Sequence, residues 1–410
     1  MWWYLKHGRL ARYFPRMLLV LALAATAYRH GYRGGRAGGF SPSSAAGLSS
    51  FGLALFALAC DDTAEPVVFL SPLSVAGALA LAAAGASPGA SESELLSALG
   101  VDAHTQIPEL SSALLSPSGV ELNVANSIWA QKSLLLPEFI KVAKTVHHAV
   151  AAPLPKTFAS INAWVSEQTQ GRITDLMPEG RPSQSLATLL INAVFFKGSW
   201  AAKFQPKHTT VGSFHAPSGD VAAPFMRRTG RLPFAMRVPS LGGASVVQLD
   251  YGEDGGPYSA LLVLPANATA AAMAAVTSGL RAAPLADLLL KLRKPSRKVE
   301  LLLPRFKAEW GVTSLVPHLR ALGVAAAFEG GSFSRMSNDP GLHINDVLHK
   351  ATIEVNEEGT VAAAATAVTM TRSLPIPIPM HFNRPFVMLV VHRPSAVPLF
   401  AGRFNHPKFG

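Results

Sequence analysis

Cysteine is almost absent. The single Cys60 in 410 residues excludes an intramolecular disulfide framework and any cysteine-clustered zinc or iron–sulfur site. Charge is scarce as well, at 15% of residues against roughly 25% in soluble chains, while 49% are hydrophobic. So apolar a chain is not globally disordered, and it is long enough to bury a core that needs no staples. Acidic residues are missing altogether from the first sixty positions, which carry Lys6, Arg9, Arg12, Arg16, Arg29, Arg33 and Arg36. Removing those seven from the 36 basic residues leaves 29 against 25 acidic ones, so the net +11 falls to +4 beyond residue 60. The basicity is therefore an N-terminal matter, not a patch interleaved with aromatics, and no nucleic-acid partner is expected.

Catalytic signatures are equally thin. There is no glycine-rich phosphate loop with a following lysine, no dinucleotide fingerprint and no metalloprotease histidine spacing. The adjacent His147 and His148 would point about 100° apart on a helix and make a poor metal clamp. Gly85-Ala86-Ser87-Pro88-Gly89 has the spacing of a nucleophile elbow. That motif needs a preceding strand, however, and here an Ala/Leu helix precedes it, so Gly85 reads as a helix stop. No metal and no cofactor are expected, and the case for an enzyme is weak.

What is present begins with an apolar run, residues 17–27, behind a basic stretch and ending in the small-x-small pattern Ala25-Thr26-Ala27. Residues 1–27 read as a secretory signal, which predicts an extracellular protein. The same Arg-rich, acid-free stretch also fits a mitochondrial transit peptide, but its apolar run, broken only by Thr26, is not amphipathic. Residues 28–44, rich in Gly, Arg and Ser, are expected to be disordered, with one globular domain over 45–410.

Within that domain, Ser71-Pro72 is a helix-start signal. It divides the apolar stretch 67–86 into a short strand, 67–70, and a buried helix, 72–84, instead of a membrane span. Helices are also predicted over 48–60, 160–170, 270–280 and 313–322. Strands are predicted over 120–130, 189–196, 245–249, 258–264, 299–303, 386–391 and 399–401. In the 160–170 helix, Ile161, Trp164 and Val165 are expected to face inward. Helices dominate early and strands late, without βαβ alternation, which places the chain in the α+β class.

Residues 357–373 are the unusual stretch: Glu357-Glu358-Gly359-Thr360-Val361-Ala362-Ala363-Ala364-Ala365-Thr366, then Ala-Val-Thr-Met-Thr, then Arg372-Ser373. Alanine favours helix, whereas the β-branched residues favour strand. The alternate side chains Thr360, Ala362, Ala364 and Thr366 are small enough to slide between existing strands. Beyond Arg372 the run Leu374-Pro375-Ile376-Pro377-Ile378-Pro379 is stiff and cannot join a central strand. A strand-capable segment that stops at a lone arginine looks like a loop offered to a trypsin-like pocket.

From about residue 45 to the C-terminus the chain resembles the serpin family. Phe69-Leu70-Ser71-Pro72-Leu73-Ser74, Ile161-Asn162-Ala163-Trp164-Val165 and the run from Ile191 to Trp200 (INAVFFKGSW) each match a family signature. So do the run from His349 to Thr360, Phe382-Asn383-Arg384-Pro385-Phe386, and Pro398-Leu399-Phe400-Ala401-Gly402. The resemblance implies about nine helices around three β-sheets, with an exposed reactive-centre loop over about 357–379 whose hinge is 357–366. It implies a monomeric suicide-substrate inhibitor of a serine protease; the lone arginine sets the cleaved bond at Arg372-Ser373, with Ser373-Leu374 the alternative if the pocket is elastase- or chymotrypsin-like. A non-inhibitory carrier or chaperone is the alternative. Ser71, Ser74, Asn192 and His349 match the family's shutter, and Trp200 its breach. Two departures stand out: the connection between His148 and Ile161 is several residues short, and residues 104–116 contain no Lys or Arg.

Two surface features complete the expectations. Lys291, Arg293, Lys294, Arg297 and Lys298 put five charges in eight residues, either a solvated helix end or a patch for a heparin-like glycosaminoglycan modulator. Asn267-Ala268-Thr269 is an N-glycosylation acceptor sequence on an expected surface turn.

Overall fold

The computed structural model describes residues 41–114, 120–131, 135–183, 186–252, 256–292, 297–330, 332–359 and 376–409. The expected signal segment 1–27, the loop from Thr360 through Ser373 and the basic residues Arg293 and Lys294 lie outside the described residues.

In chain order the elements are α1 (Pro42–Asp61), β1 (Val67–Leu70), α2 (Pro72–Gly85), α3 (Ala90–Leu99), α4 (Gln106–Leu114), β2 (Val120–Ala130) and α5 (Pro137–Thr145). Then come β3 (Val150–Pro153), α6 (Ala159–Gln168), β4 (Thr188–Gly198), β5 (Thr210–Ala216), β6 (Gly219–Gly230), β7 (Phe234–Val238), β8 (Ala244–Asp250) and β9 (Tyr258–Leu264). They are followed by α7 (Ala270–Ala282), α8 (Leu285–Lys291), β10 (Val299–Pro304), β11 (Phe306–Ser314), α9 (Val316–Ala321) and β12 (Asp346–Val355). The chain ends with β13 (Ile378–His381), β14 (Phe386–His392), β15 (Val397–Phe404) and β16 (Lys408–Phe409). Among the described residues this is nine α-helices and three sheets, the mixed α+β class.

The strand orders are β1-β15-β14-β9-β8-β7, β13-β10-β6-β5 and β16-β11-β12-β4-β2-β3. The last of these, the main sheet, is antiparallel except where β12 runs parallel to β4 and β2 parallel to β3. An aromatic cluster joins β1, β11, β14 and β15: Phe69 stacks on Phe400 at 5.3 Å, and Phe306 lies 4.9 Å from Phe404. Truncating any one of these rings would cost about 3–5 kcal/mol.

Local chemistry accounts for the boundaries. Ser71 caps α2 by accepting the Ser74 N–H, with Pro72 at the first helical position, and the helix is apolar all round and buried throughout apart from Gly77. Ser41 caps α1 in the same way, with Pro42 following. The disordered segment expected over 28–44 is therefore too long at its C-terminal end: Ser41 is a helix cap, Pro42 and Ser43 are helical and Ser44 is buried. A second correction concerns the helix expected over 313–322. Thr313 instead pairs with His349 as strand β11 continues past a bulge at Gly311, whose φ is +104°. The helix starts only at Val316, where Pro317 supplies the start signal.

Helix α6 lies on the main sheet. Phe158, Ile161 and Val165 pack against Trp129 of β2, Leu189, Ile191 and Ala193 of β4, and Leu348 of β12. Trp164 is only half-buried, edge-on to Trp129 at 6.0 Å, so it faces the rim of this interface.

Candidate functional site

The main sheet is incompletely zipped. β12 and β4 pair from Asp346/Leu189 to Thr352/Phe195 and no further. Beyond that point β4 stays with β2 as far as Gly198, and β12 stays with β11 as far as Val355. The upper ends of two parallel neighbours thus stand unpaired to each other, a geometry that admits an antiparallel strand between them.

The segment leaving β12 is pinned at this opening. Trp200 N–H donates to the Glu358 carbonyl at 3.0 Å, Phe204 N–H to that of Glu357 at 2.9 Å, and Trp200 Nε1 to that of Asn356 at 3.0 Å. The Glu357 carboxylate is buried, accepts from Thr209 Oγ1 at 2.7 Å and faces Arg305 at 3.7 Å; Glu358 pairs with Lys203 at 2.9 Å. Trp200 is buried and stacked on Tyr251 at 4.5 Å. Gly359 closes the turn with φ +129°, and a Cβ there would come within 2.4 Å of the Gly198 carbonyl. Only glycine fits. The chain is described again at Ile376, which is exposed, and its carbonyl accepts from Arg297 Nη2 at 2.8 Å. Ile378 N–H then donates to the Lys298 carbonyl, starting β13. The two described ends of this stretch, Gly359 and Ile376, therefore lie at the opening of the main sheet and beside the edge strand of the four-stranded sheet.

Below the opening, the four predicted shutter residues converge. His349 Nε2 accepts the Ser71 N–H at 3.2 Å, and its Nδ1 donates to Asn192 Oδ1. Asn192 Nδ2 donates to the Ser74 carbonyl at 3.1 Å, to Ser74 Oγ and to Asn126 Oδ1, while Ser71 Oγ donates to the Leu399 carbonyl at 2.7 Å. Complete burial drives the His349 imidazole down to about 3, so it is neutral, with its proton on Nδ1. The cluster joins β12, β4, β2 and α2 across the seam where β12 and β4 are paired. Beside it Lys350, buried, pairs with Glu309 of β11 at 2.6 Å and with Asp175, in the segment after α6, at 3.4 Å. Lys350 holds the Asp175 carboxyl below the ordinary carboxylate range.

Sequence reasoning missed Lys203, Thr209, Arg305 and Asn126. The first three sit in stretches without a period or motif, and Asn126 was read only as part of a strand. The elbow motif is not assembled: Ser87 follows the end of α2, and its Oγ accepts the Ser334 N–H. Among the described residues no cluster of three metal-ligating side chains occurs. Asn267 is exposed between β9 and α7, its side-chain oxygen accepting from Thr269 N and Oγ1. Of the basic cluster, Lys291 ends α8 and Arg297 and Lys298 hold the far end of the loop.

A family model described as "Serpin (serine protease inhibitor)" matches residues 46–407. The chain is a serpin. It is 31% identical to leukocyte elastase inhibitor of Xenopus tropicalis, over 87% of this chain and 97% of that protein. It is also 31% identical to serpin-ZX of Arabidopsis thaliana, over 83% and 92%. Among solved structures, Arabidopsis AtSerpin1 in its native stressed conformation superposes with a TM-score of 0.75 at 28% identity, covering 90% of this serpin and 99% of that chain. Human thyroxine-binding globulin, complexed with thyroxine, shares the fold with a TM-score of 0.77 at 24% identity, over 89% and 98%.

Proposed function

We propose that this serpin inhibits serine proteases as a monomeric suicide substrate. A target protease attacks the carbonyl of Arg372 with its serine oxygen, and the Ser373 amine leaves. The freed loop then enters the main sheet between β4 and β12 before the acyl-enzyme ester hydrolyses. The observation that carries this reading is the unpaired upper end of those two strands, directly below Gly359. The small residues Thr360, Val361, Ala362, Ala363, Ala364, Ala365 and Thr366 suit it, since none brings a charge or bulk into a closed sheet.

A trypsin-like target follows from Arg372, whose guanidinium matches an acid at the base of such a pocket. A second reading, cleavage at Ser373-Leu374 by an elastase-like protease, is favoured by the leukocyte elastase inhibitors among the relatives. Incubation with trypsin-, elastase- and chymotrypsin-like proteases tests both, read as an SDS-stable complex on a gel. A carrier role predicts cleavage, or no reaction, without complex. We further propose that residues 1–27 direct secretion, that Asn267 carries a glycan, and that the cluster from Lys291 to Lys298 is a polysaccharide patch.

A further inference from the structure

Helix α6 is flanked by two cations that no feature of the inhibitory reading uses. Lys156 precedes it, in the five-residue connection from β3, and Arg181 follows it. Both line one open cavity of about 520 Å³ beside the helix, within the roughly 300–1,000 Å³ range of small-molecule sites. Among the described residues no Asp or Glu lines this cavity, and no ion pair engages either cation. The remaining polar lining includes Gln131 and Ser183, and Leu154 and Leu186 supply an apolar surface.

The walls are set before any ligand arrives. Phe158 N–H donates to the Gly180 carbonyl at 3.0 Å, which ties the two flanks together two residues from Lys156 and one from Arg181. Leu154 N–H donates to the Ala130 carbonyl at 2.6 Å and Gln131 N–H to that of Ala187 at 2.9 Å. Each cation is also next to a proline, Pro155 before Lys156 and Pro182 after Arg181, which removes backbone freedom that binding would otherwise have to quench.

We infer that this cavity binds a sulfate or phosphate ester of about monosaccharide to disaccharide size. The oxyanion lies between Lys156 and Arg181, and the carbon frame lies against Leu154 and Leu186. A planar guanidinium and a mobile ammonium together suit a tetrahedral oxyanion.

Calorimetric titration of the full chain, without any protease, tests the site independently of the inhibitory reading. The probes are a singly sulfated disaccharide, its unsulfated counterpart and a hexose phosphate. Lys156→Gln/Arg181→Gln removes the two cations; Lys141→Gln/Lys144→Gln removes the same charge from α5. Both pairs of residues are exposed, so both variants keep the fold. Saturable binding of either ester, weakened at least about tenfold by the first double variant, unaffected by the second and lost with rising salt, supports the site. The two charged probes tell which oxyanion it prefers. The inference is overturned if neither ester binds saturably, if the unsulfated sugar binds equally well, or if both double variants weaken binding alike.

Discussion

The backbone N–H of Ser71 donates to Nε2 of His349 at 3.2 Å, which ties the first residue before α2 to the middle of β12. An acceptor nitrogen must be unprotonated, so this bond exists only while the imidazole is neutral. Protonation would place a cation at the closed seam of the main sheet and turn an acceptor into a donor facing another donor.

That sets the sign of a pH dependence. His349 is depressed to about 3 by burial, against about 6.5 when unfolded. Between those values the unfolded chain binds the proton and the native chain does not. The contribution is therefore fully present above about pH 6.5 and is lost as pH falls towards 3, at up to about 1.4 kcal/mol per unit. His147 and His392, both lowered to about 4 chiefly by burial, act with the same sign. The melting temperature should fall from pH 7 to pH 4.5, and His349→Gln should fall less steeply. An identical slope in that variant would exclude His349 as a source.

The hinge supplies a second test. Thr360→Arg or Ala362→Arg would carry an unpaired charge into the sheet, at about 3–5 kcal/mol. Slower insertion gives water time to hydrolyse the acyl-enzyme, so each variant should be cut as a substrate with little SDS-stable complex. Unchanged stoichiometry of complex would rule out insertion between β4 and β12.

How far these residues were legible from sequence follows from their chemistry. Ser71-Pro72 announces both the end of β1 and the start of α2, because a capping hydroxyl and a proline act on their own neighbours. Gly359 was placed in the hinge by the resemblance alone, since what demands a glycine there is the Gly198 carbonyl, far away in sequence. Lys203, Thr209 and Arg305 are not legible at all: they meet Glu357 and Glu358 across some 50 to 155 positions of sequence, and a surface lysine looks the same whether or not the fold brings it a carboxylate. The helix expected at Thr313 failed for a related reason. Its apolar spacing was real, but the glycine bulge at 311 let β11 run three residues further before Pro317 could start a turn.

Secretion and glycosylation stand together. The mature chain should begin at or near Tyr28, and Asn267 should be modified, since the acceptor is exposed on a turn. N-glycan removal should increase gel mobility of the secreted protein. A full-length, unglycosylated chain recovered from mitochondria would favour the transit-peptide alternative.

The basic cluster predicts heparin affinity that declines with salt and drops when Arg293, Lys294, Arg297 and Lys298 are neutralised together. Arg297 also holds the Ile376 carbonyl, so a triple variant that spares it separates loss of charge from loosening of the loop. Affinity that survives the quadruple change would leave the cluster as a solvated helix end.

The scissile bond decides specificity. Counting from Glu357, the family most often places the cleaved residue seventeenth, which is Ser373; Arg372 is sixteenth. Pocket chemistry favours the arginine, because a guanidinium can pair with a buried acid while Ser373 offers a deep pocket almost nothing to hold. Trapping by a trypsin-like protease should therefore release a C-terminal peptide that starts at Ser373, read directly by mass spectrometry. A peptide starting at Leu374 would move the bond by one residue and the target to the elastase-like class. Arg372→Ala should abolish trypsin trapping and, if Arg372 is offered to the protease as proposed, leave the melting temperature within about a degree or two, since an exposed substitution changes stability by no more than about 0.5 kcal/mol. A variant that still traps trypsin would show that the specificity pocket reads another residue.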